Sequence, residues 1–258
     1  MRYAFGHSEI AATRLEAVAR VFEPATRTLL QQVKPAARDL AIDLGCGPGY
    51  TTALLAEVLQ CRRTAWLDIS VEFIERAGRL ASDRLVFHVH DITVVPFPGG
   101  PADFLYSRFL LTHLEHPVRV VASWATQLVP SGLLVLEEVE SIATSSPVLA
   151  RYLEIVDQML RSQSNRLYIG SELENAATPE WLEKRSSDIR ELAVAPAEAA
   201  AMFALNLRTW REHPFVRKHV AEAELQQLGR DIRELQADAR GAVEIVWRLR
   251  QLVYQRRA

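Results

Sequence analysis

The sequence contains little cysteine and no long uninterrupted hydrophobic stretch. Its two cysteines, Cys46 and Cys61, are too few for a disulfide framework, so a reducing, cytoplasmic location is expected. No apolar run approaches the roughly 18 residues that are needed to cross a bilayer. The stretch from Met1 to His7 also lacks the basic-then-apolar pattern of a signal peptide. We therefore expect no membrane partner.

Neither sign of charge is in clear excess. The 30 Lys and Arg residues are opposed by 32 Asp and Glu residues, which gives a formal charge of −2. A chain without net positive charge lacks the long-range field that attracts nucleic acid, so no nucleic-acid partner is expected. Apolar residues make up 49% of the 258 residues, which excludes a disordered chain and fits one large domain or a domain with an appended subdomain.

Short apolar runs alternate with helical patterns in the first half of the chain. Such strands, separated by helices, are typical of parallel sheets that are covered on both faces. The sequence therefore predicts an α/β fold: a doubly wound, Rossmann-like, mostly parallel sheet of seven strands with helices on both faces. The predicted strands of this region are 39–44, 63–68, 85–90, 102–106 and 133–139, and the predicted helices are 51–59, 71–81 and 117–128.

The two ends of the chain have a different pattern. Residues 10–30 form an amphipathic helix, which Pro24 is expected to end or restart, and we assign residues 1–35 to a helical cap and 36–258 to the main domain. Helical lid insertions are predicted at about 147–185 and 196–240. Within this second half the predicted strands are 188–194 and 242–254, the predicted helices are 148–161, 197–212 and 222–239, and 170–179 is predicted to be a loop.

The most informative motif lies at the first predicted turn from strand to helix. Residues 42–49 have the sequence Ile-Asp-Leu-Gly-Cys-Gly-Pro-Gly. Glycines at this position let the backbone turn sharply and approach a ligand closely. A tight turn without a ligand is the alternative.

Two acidic residues stand at the ends of the next two predicted strands. Asp68 lies 23 positions after Gly45, where a carboxylate can accept hydrogen bonds from ribose hydroxyls, and Asp91 ends the third strand. An aspartate at a strand end is more often a helix cap, and Asp68 is suitably placed to cap the helix that follows. Carboxylates at three successive strand ends, counting Asp43, favour a ligand site.

This combination resembles the class I S-adenosylmethionine-dependent methyltransferases. Their glycine motif matches residues 42–49, and the Pro-Gly-Gly turn before their fifth strand is similar to Pro130-Ser131-Gly132. The resemblance implies that residues 36–258 form a methyltransferase domain that binds S-adenosylmethionine and releases S-adenosylhomocysteine. It assigns the methionine end to Asp43 and Gly45, the ribose to Asp68, the adenine to Asp91 and Ile92, and the pocket near the methyl group to Arg108. The same cofactor site includes Cys46, Gly47, Gly49, Ile69 and Ser107.

Other residues are candidates for the acceptor side. His113 follows the fourth strand and is the first candidate for a general base because the pKa of imidazole lies near neutrality. A surface or capping histidine is the alternative. Tyr3, His7 and Glu138 are candidate substrate contacts. No metal is expected, since Tyr106-Ser107-Arg108 stands where metal-dependent relatives carry an aspartate.

The expected partner is a small-molecule methyl acceptor, and the expected assembly is a monomer or homodimer. Methylation of nucleic-acid bases is disfavoured because Ser107-Arg108-Phe109-Leu110 replaces the Asn/Asp-Pro-Pro-aromatic run of such enzymes. We favour O-methylation, in natural-product or other secondary metabolism, over N- or C-methylation. An alternative stays open: a protein that binds S-adenosylmethionine without transferring its methyl group, such as a cyclase or sensor. An NAD-dependent oxidoreductase is disfavoured because its loop is Gly-x-Gly-x-x-Gly.

Overall fold

A single seven-stranded sheet forms the centre of the computed structural model, which describes residues 9–35, 39–80, 82–237 and 244–258. The strands are β1 (Leu40–Leu44), β2 (Arg63–Asp68), β3 (Leu85–Val89), β4 (Ala102–Arg108), β5 (Leu128–Thr144), β6 (Leu182–Ala193) and β7 (Ile245–Arg256). Their order is β3-β2-β1-β4-β5-β7-β6. The first five strands in this order are parallel, whereas β7 pairs antiparallel with both β5 and β6.

The helices surround this sheet in the order that a doubly wound fold requires. They are α1 (Glu9–Gln32), α2 (Tyr50–Leu59), α3 (Val71–Ala77), α4 (Pro117–Ala125), α5 (Pro147–Arg161), α6 (Gly170–Asn175), α7 (Pro196–Trp210), α8 (Pro214–His219) and α9 (Glu222–Ala237). None of the helices in the described ranges combines the length and the apolarity that crossing a bilayer demands.

Two hydrophobic cores lie on opposite faces of the sheet. Successive residues of a strand point to opposite faces, so Ile42 packs in one core and Ala41 in the other. The core around Ile42 includes side chains from α4 and α6, and the core around Ala41 includes side chains from α1 and α2. The predicted fold class, a mostly parallel seven-stranded sheet with helices on both faces, is confirmed.

A third core lies within a layer of helices. It joins side chains from α5, α7, α8 and α9 to the side of α1 that carries Phe22 and to Trp247 of β7. The helices of the two predicted lid insertions are α5 and α6 before β6 and α7 to α9 after it, and all of them except α6 contribute to this core. Because α1 contributes to both this core and the sheet core around Ala41, it links the helical layer to the sheet. The division of the chain at residue 35 stays a prediction.

Several predicted element boundaries are wrong, and contacts with other elements explain three of the errors. Pro24 lies inside α1 and does not end it, since Phe22 and Ala25 are buried on either side and their packing offsets one missing hydrogen bond. Residues 170–179 begin with the short helix α6, which is held by the buried Leu173. The helix α8 was not predicted. Strand β5 runs to Thr144, well beyond the predicted end, because β7 pairs with its second half.

Candidate active site

A cavity of about 230 Å³ opens where the parallel strands end. Its floor is made by residues at the carboxyl ends of β1 to β4, and its roof by side chains of α1, α5 and α7. Ligands of open α/β sheets bind at this edge, since helix N-termini and strand-end side chains converge there. The floor residues are Gly45, Cys46, Gly47, Pro48, Asp68, Ile69, Asp91, Ile92 and Arg108.

The glycine turn after β1 is fixed by the strand beside it. The backbone amides of Gly45 and Cys46 both donate to the carbonyl oxygen of Leu67, at 2.8 and 3.3 Å. The amide of Gly47 donates to Oδ2 of Asp68 at 2.9 Å. Gly47 has a φ of +54°, and a Cβ there would lie 3.2 Å from Leu15 of α1. The turn is therefore held rigidly against the cavity, with α1 packed close to it.

Asp68 and Asp91 both line the cavity, and both carboxylates accept hydrogen bonds from the backbone. Oδ1 of Asp68 accepts the amide of Ser70 at 2.8 Å, in addition to the bond from Gly47. Oδ1 of Asp91 accepts the amide and the hydroxyl of Thr93, at 2.9 and 2.7 Å, and the hydroxyl bond lowers the pKa of Asp91. Each carboxylate oxygen can accept more than one hydrogen bond, so both residues keep acceptor capacity for a ligand.

Gly49, the third glycine of the motif, serves packing rather than the cavity surface. A Cβ at Gly49 would lie 1.8 Å from the indole ring of Trp66, and the residue does not belong to the lining. Gly100 provides a matched control, since its φ of +88° is close to the +91° of Gly49. Apart from its chain neighbours, a Cβ at Gly100 would meet no described residue within 4 Å.

Gly49→Ala is expected to destabilise the fold more than Gly100→Ala. Both changes incur the strain of a left-handed residue, but only the first forces Trp66 to move, which adds about 1–3 kcal/mol. Urea denaturation of the two variants measures this difference. Equal losses in both variants would contradict the packing role of Gly49.

Arg108 bridges three elements at the edge of the cavity. Its guanidinium donates to the hydroxyl of Thr26 on α1 at 2.9 Å and to the hydroxyl of Thr51 on α2 at 3.0 Å. Burial raises the pKa of the nearby Asp43, and the positive charge of Arg108 lowers it by a smaller amount. Arg108 therefore positions α1 and α2 against β4 as well as contributing a positive charge to the cavity wall.

A buried carboxylate anchors α1 to the sheet beneath Arg108. Glu137 of β5 has no exposed surface and accepts hydrogen bonds from Thr26 at 2.7 Å, from Gln251 at 2.7 Å and from the hydroxyl of Tyr106. Since Thr26 also receives the bond from Arg108, one continuous network joins α1, β4, β5 and β7. This network fixes the helix that forms part of the cavity roof.

His113 lies on the cavity wall in a short turn that follows β4. Burial, reinforced by the positive charge of Arg14, lowers the pKa of His113 to about 3. The imidazole is therefore neutral at ordinary pH and is a weak proton acceptor.

The turn that carries His113 is held by Glu138. Oε1 of Glu138 accepts the amides of Leu110 and Leu111, at 2.9 and 2.8 Å. Burial raises the pKa of Glu138 to about 8, despite these two bonds. Glu138 does not line the cavity, so it acts on the site through the turn and not as a surface group.

Glu138→Gln is expected to change how stability depends on pH. A carboxyl whose pKa is raised by folding, from 4.5 to about 8, contributes stability below pH 4.5 that is lost as the pH rises through 8. The glutamine variant keeps an acceptor for the two amides but does not ionise. The free energy of unfolding of the wild type should therefore fall, relative to the variant, between pH 5 and pH 8. Urea denaturation at a series of pH values measures the two curves. Curves of unfolding free energy against pH that stay parallel for wild type and variant would contradict the raised pKa of Glu138.

Comparison with known proteins identifies the domain that contains the floor of this cavity. Residues 42–136 match a family described as "Methyltransferase domain". The matched segment is a class I methyltransferase domain. The resemblance inferred from the glycine turn and the acidic strand ends is thereby confirmed.

Relatives of this methyltransferase domain align with about half of the chain. The O-methyltransferase cnsE of Penicillium expansum is 32% identical over 144 residues, which are 53% of this chain and 52% of that protein. A trans-aconitate 2-methyltransferase of Methylobacterium radiotolerans is 32% identical over 123 residues, which are 48% of this chain and 46% of that protein. The chain thus spans about half the length of the curated relatives it matches.

A solved structure shows the same fold over a greater length. A protein of Anaeromyxobacter dehalogenans, provisionally described as a type II methyltransferase, superposes with a TM-score of 0.59 at 17% identity. The superposition covers 89% of this chain and 94% of that one. At this level of identity the likeness concerns the fold, including the helices outside the methyltransferase domain.

The floor of the methyltransferase domain fits the nucleoside cofactor that the sequence predicts. A turn of glycines presents backbone without side chains, and the acceptor oxygens of Asp68 match the donor hydroxyls of a ribose. Ile69 and Ile92 supply apolar surface for a flat base, and Asp91 supplies an acceptor beside it. These residues belong to three successive loops, after β1, β2 and β3, and come together only in the folded sheet.

Three residues assigned to cofactor binding do not line the cavity. Asp43 is buried beneath the turn, where it accepts the hydroxyl of Thr52, and burial raises its pKa to about 7. Ser107 is fully buried in β4, and Gly49 packs on Trp66. In the methyltransferase domain these three residues support the floor from behind. Their assignment as direct contacts is not supported by their placement.

The candidate substrate contacts divide between two outcomes. Glu138 does not line the cavity, because its side chain is buried and accepts the amides of Leu110 and Leu111. Tyr3 and His7 lie outside the described residues. Among the residues that are described, no cluster of three or more His, Cys, Asp or Glu side chains is arranged to hold a metal ion.

The residues that line the roof of the cavity were not predicted from the sequence. Its lining includes Arg14 from α1, Tyr152 from α5, Phe203 and Asn206 from α7, and Trp247 from β7. One signal was available for Arg14, which lies four residues before Val18 and eight before Phe22 on the apolar side of α1. A charged residue on the apolar side of a helix is unusual and often functional.

Proposed function

We propose that the chain is an S-adenosylmethionine-dependent methyltransferase that acts on a small molecule, with oxygen as the favoured acceptor atom. The observation that carries the proposal is the bond between Gly47 and Asp68, which fixes a glycine turn and a carboxylate together on the floor of one cavity. When bound there, the cofactor supplies an electrophilic methyl group on its sulfonium. The protein's task is then to bind, align and exclude water.

The proposed roles follow from the position of each residue. Asp68 accepts the ribose hydroxyls, and Asp91 with Ile92 holds the adenine. The backbone of Gly45, Cys46 and Gly47 leaves room for the methionine portion, and Arg108 closes the cavity beside it. The set of supporting residues is completed by Asp43, Thr52, Glu137 and Glu138, which fix the turns and helices that carry these groups.

The helical layer supports a small acceptor. The roof is made by helices that pack against α1, so the far side of the cavity is bounded by the chain's own side chains. The name of one relative, an O-methyltransferase, favours oxygen as the acceptor atom. A role in secondary metabolism, a cytoplasmic location and a monomeric or homodimeric state are part of the same proposal.

Transfer from radiolabelled S-adenosylmethionine tests this function. The purified chain is incubated with separate pools of phenols, carboxylic acids and amines, and labelled products are isolated. We expect label in an oxygen acceptor. Binding of S-adenosylhomocysteine with no product from any pool would favour the non-transferring alternative. Stabilisation by NAD but not by S-adenosylhomocysteine would favour an oxidoreductase.

His113→Asn tests the assignment of His113 to the acceptor side. We propose that the neutral imidazole accepts a hydrogen bond from the acceptor, because the low pKa of His113 prevents it from holding a proton near neutral pH. The variant should lose at least about tenfold in kcat while its affinity for S-adenosylhomocysteine is retained. Retention of full kcat would remove His113 from the mechanism.

A further inference from the structure

Strand β6 forms one edge of the sheet and has an open outer side. In the described part of the chain, β6 pairs only with β7, and the backbone of residues 183–193 makes no hydrogen bond to any other element. The outward N–H and C=O groups of such an edge are a template for pairing with another chain. This edge is therefore a candidate surface for a further strand.

The middle of this edge is exposed on both faces of the sheet. Residues 188–191 are all exposed, although successive residues of a strand point to opposite faces. None of the described helices therefore covers either face at this point. Ile189, a large apolar residue, is 48% exposed at the centre of the open edge. Burial of this side chain and pairing of the free backbone groups both favour a partner that adds a strand.

The two residues that flank Ile189 carry opposite charges. Asp188 and Arg190 point to the same face of the sheet, and neither forms an ion pair with any residue that the structure describes. Glu191 points to the other face and is paired with Arg248 of β7 at 2.7 Å. A partner strand that matches this edge must carry an acidic and a basic residue at the same spacing and in the opposite order. A second copy of β6, running antiparallel, does so.

Two-fold symmetry limits the ways in which two copies of β6 can pair. Opposed residues of an antiparallel pair point to one face, and successive residues of a strand alternate between faces. One residue must therefore lie opposite its own copy. The pairing of β6 with β7 is irregular between Lys184 and Ser186, so the regular part of β6 is 186–193. The centre of a symmetric pairing is expected within this segment.

Charge selects one centre among the middle positions of this segment. A pairing centred on Asp188, Arg190 or Glu191 places that residue opposite its own copy, and like charges directly opposite each other destabilise a sheet. A pairing centred on Ile189 places Asp188 of each copy opposite Arg190 of the other and brings the two Ile189 side chains together. This register pairs residues 186–192 of both copies. Centres nearer either end of the segment would pair only a few residues.

We propose that the chain forms a two-fold symmetric homodimer in which the β6 strands of two copies pair antiparallel, centred on Ile189. The two sheets then continue into each other through this isologous contact. The interface is separate from the cavity, since no residue of β6, which is described in full, lines it. The dimer is therefore independent of the proposed function, and variants of β6 should bind S-adenosylhomocysteine as the wild type does.

Charge reversal on β6 tests the interface by sedimentation equilibrium of the full chain. The wild type should sediment as a dimer. Asp188→Arg and Arg190→Asp each place like charges opposite each other, and each should weaken dimerisation by at least about tenfold. The double variant Asp188→Arg/Arg190→Asp restores opposite charges and should dimerise within about threefold of the wild type. A monomeric wild type, single variants that dimerise normally, or a double variant as weak as the single ones would overturn the proposal.

Cysteine cross-linking tests the register. Ile189→Cys places two thiols directly opposite each other, within the Cα separation that a disulfide spans, so oxidation should link two chains. Glu191→Cys is the matched control on the same face of β6, because its two copies are offset along the strands and too far apart to bridge. The native cysteines, Cys46 and Cys61, are both buried. Equal cross-linking of the two variants, or none in Ile189→Cys, would overturn the proposal.

Discussion

Asp68→Ala is expected to weaken the binding of S-adenosylhomocysteine by roughly a hundredfold, or about 3 kcal/mol. The carboxylate is proposed to accept the ribose hydroxyls, and charged hydrogen bonds of this kind are among the strongest that a binding site makes. The same change removes the acceptor that holds the amides of Gly47 and Ser70, so the glycine turn loses its anchor as well. Calorimetric titration of the folded variant measures the loss.

Two further variants separate these contributions. Asp68→Asn keeps one acceptor oxygen and should lose less affinity than Asp68→Ala. Asp188→Ala changes an exposed aspartate on β6, remote from the cavity floor, and should bind as the wild type does. Wild-type affinity in Asp68→Ala would exclude this carboxylate from ribose binding.

Glu137→Ala is expected to lower the free energy of unfolding by about 3–5 kcal/mol. The substitution removes the common acceptor of three buried donors, which are the hydroxyls of Thr26 and Tyr106 and the side-chain amide of Gln251. Unsatisfied buried donors are costly because they have given up hydrogen bonds to water. The loss should also loosen α1, since Thr26 connects Glu137 to Arg108.

Urea denaturation at a fixed pH measures this effect. Glu75→Ala is the matched control, because Glu75 is an exposed glutamate of α3. We expect the control to change stability by less than about 0.5 kcal/mol. A loss below about 1 kcal/mol in Glu137→Ala would contradict the anchoring role of the network.

The parallel part of the sheet was predictable because β1, β2 and β4 are apolar on both faces. Residues 63–68 were predicted with the bounds that β2 has in the structure, and the runs at β1, β3 and β4 were found with small errors at their ends. Residues 140–144 of β5 were missed because none of them is fully buried, so no apolar pattern marks them, and pairing with β7 extends the strand. The burial of Glu137 and Glu138 inside the predicted strand was also not expected, since it depends on partners from α1, β7 and the turn after β4 that no local pattern reveals.

The sequence predicted which loops form the floor of the site, but not which of their side chains face the cavity. A motif locates residues along the chain, and the strand pleat then decides which of them face a cavity. Asp68, Asp91 and Ile92 line the cavity as expected, whereas Asp43 and Ser107 belong to the same strand ends but are buried behind it. Orientation of this kind depends on the packing of α2 against β1 and of β4 between its neighbours.

The roof was not predictable, since it is assembled from distant parts of the chain. Arg14, Tyr152 and Trp247 come from α1, α5 and β7 and meet only because the helical layer folds over the strand ends. Helical periodicity indicated a buried side on α1 but not the surface that it faces.

A crystal structure of the chain soaked with S-adenosylhomocysteine tests the central claim most directly. The account predicts the ribose hydroxyls within hydrogen-bond distance of Asp68, the adenine beside Asp91 and Ile92, and the sulfur directed toward the part of the cavity that Tyr152 and Trp247 line. A ligand bound elsewhere, or a cavity that stays without ligand while the compound is saturating, would contradict it.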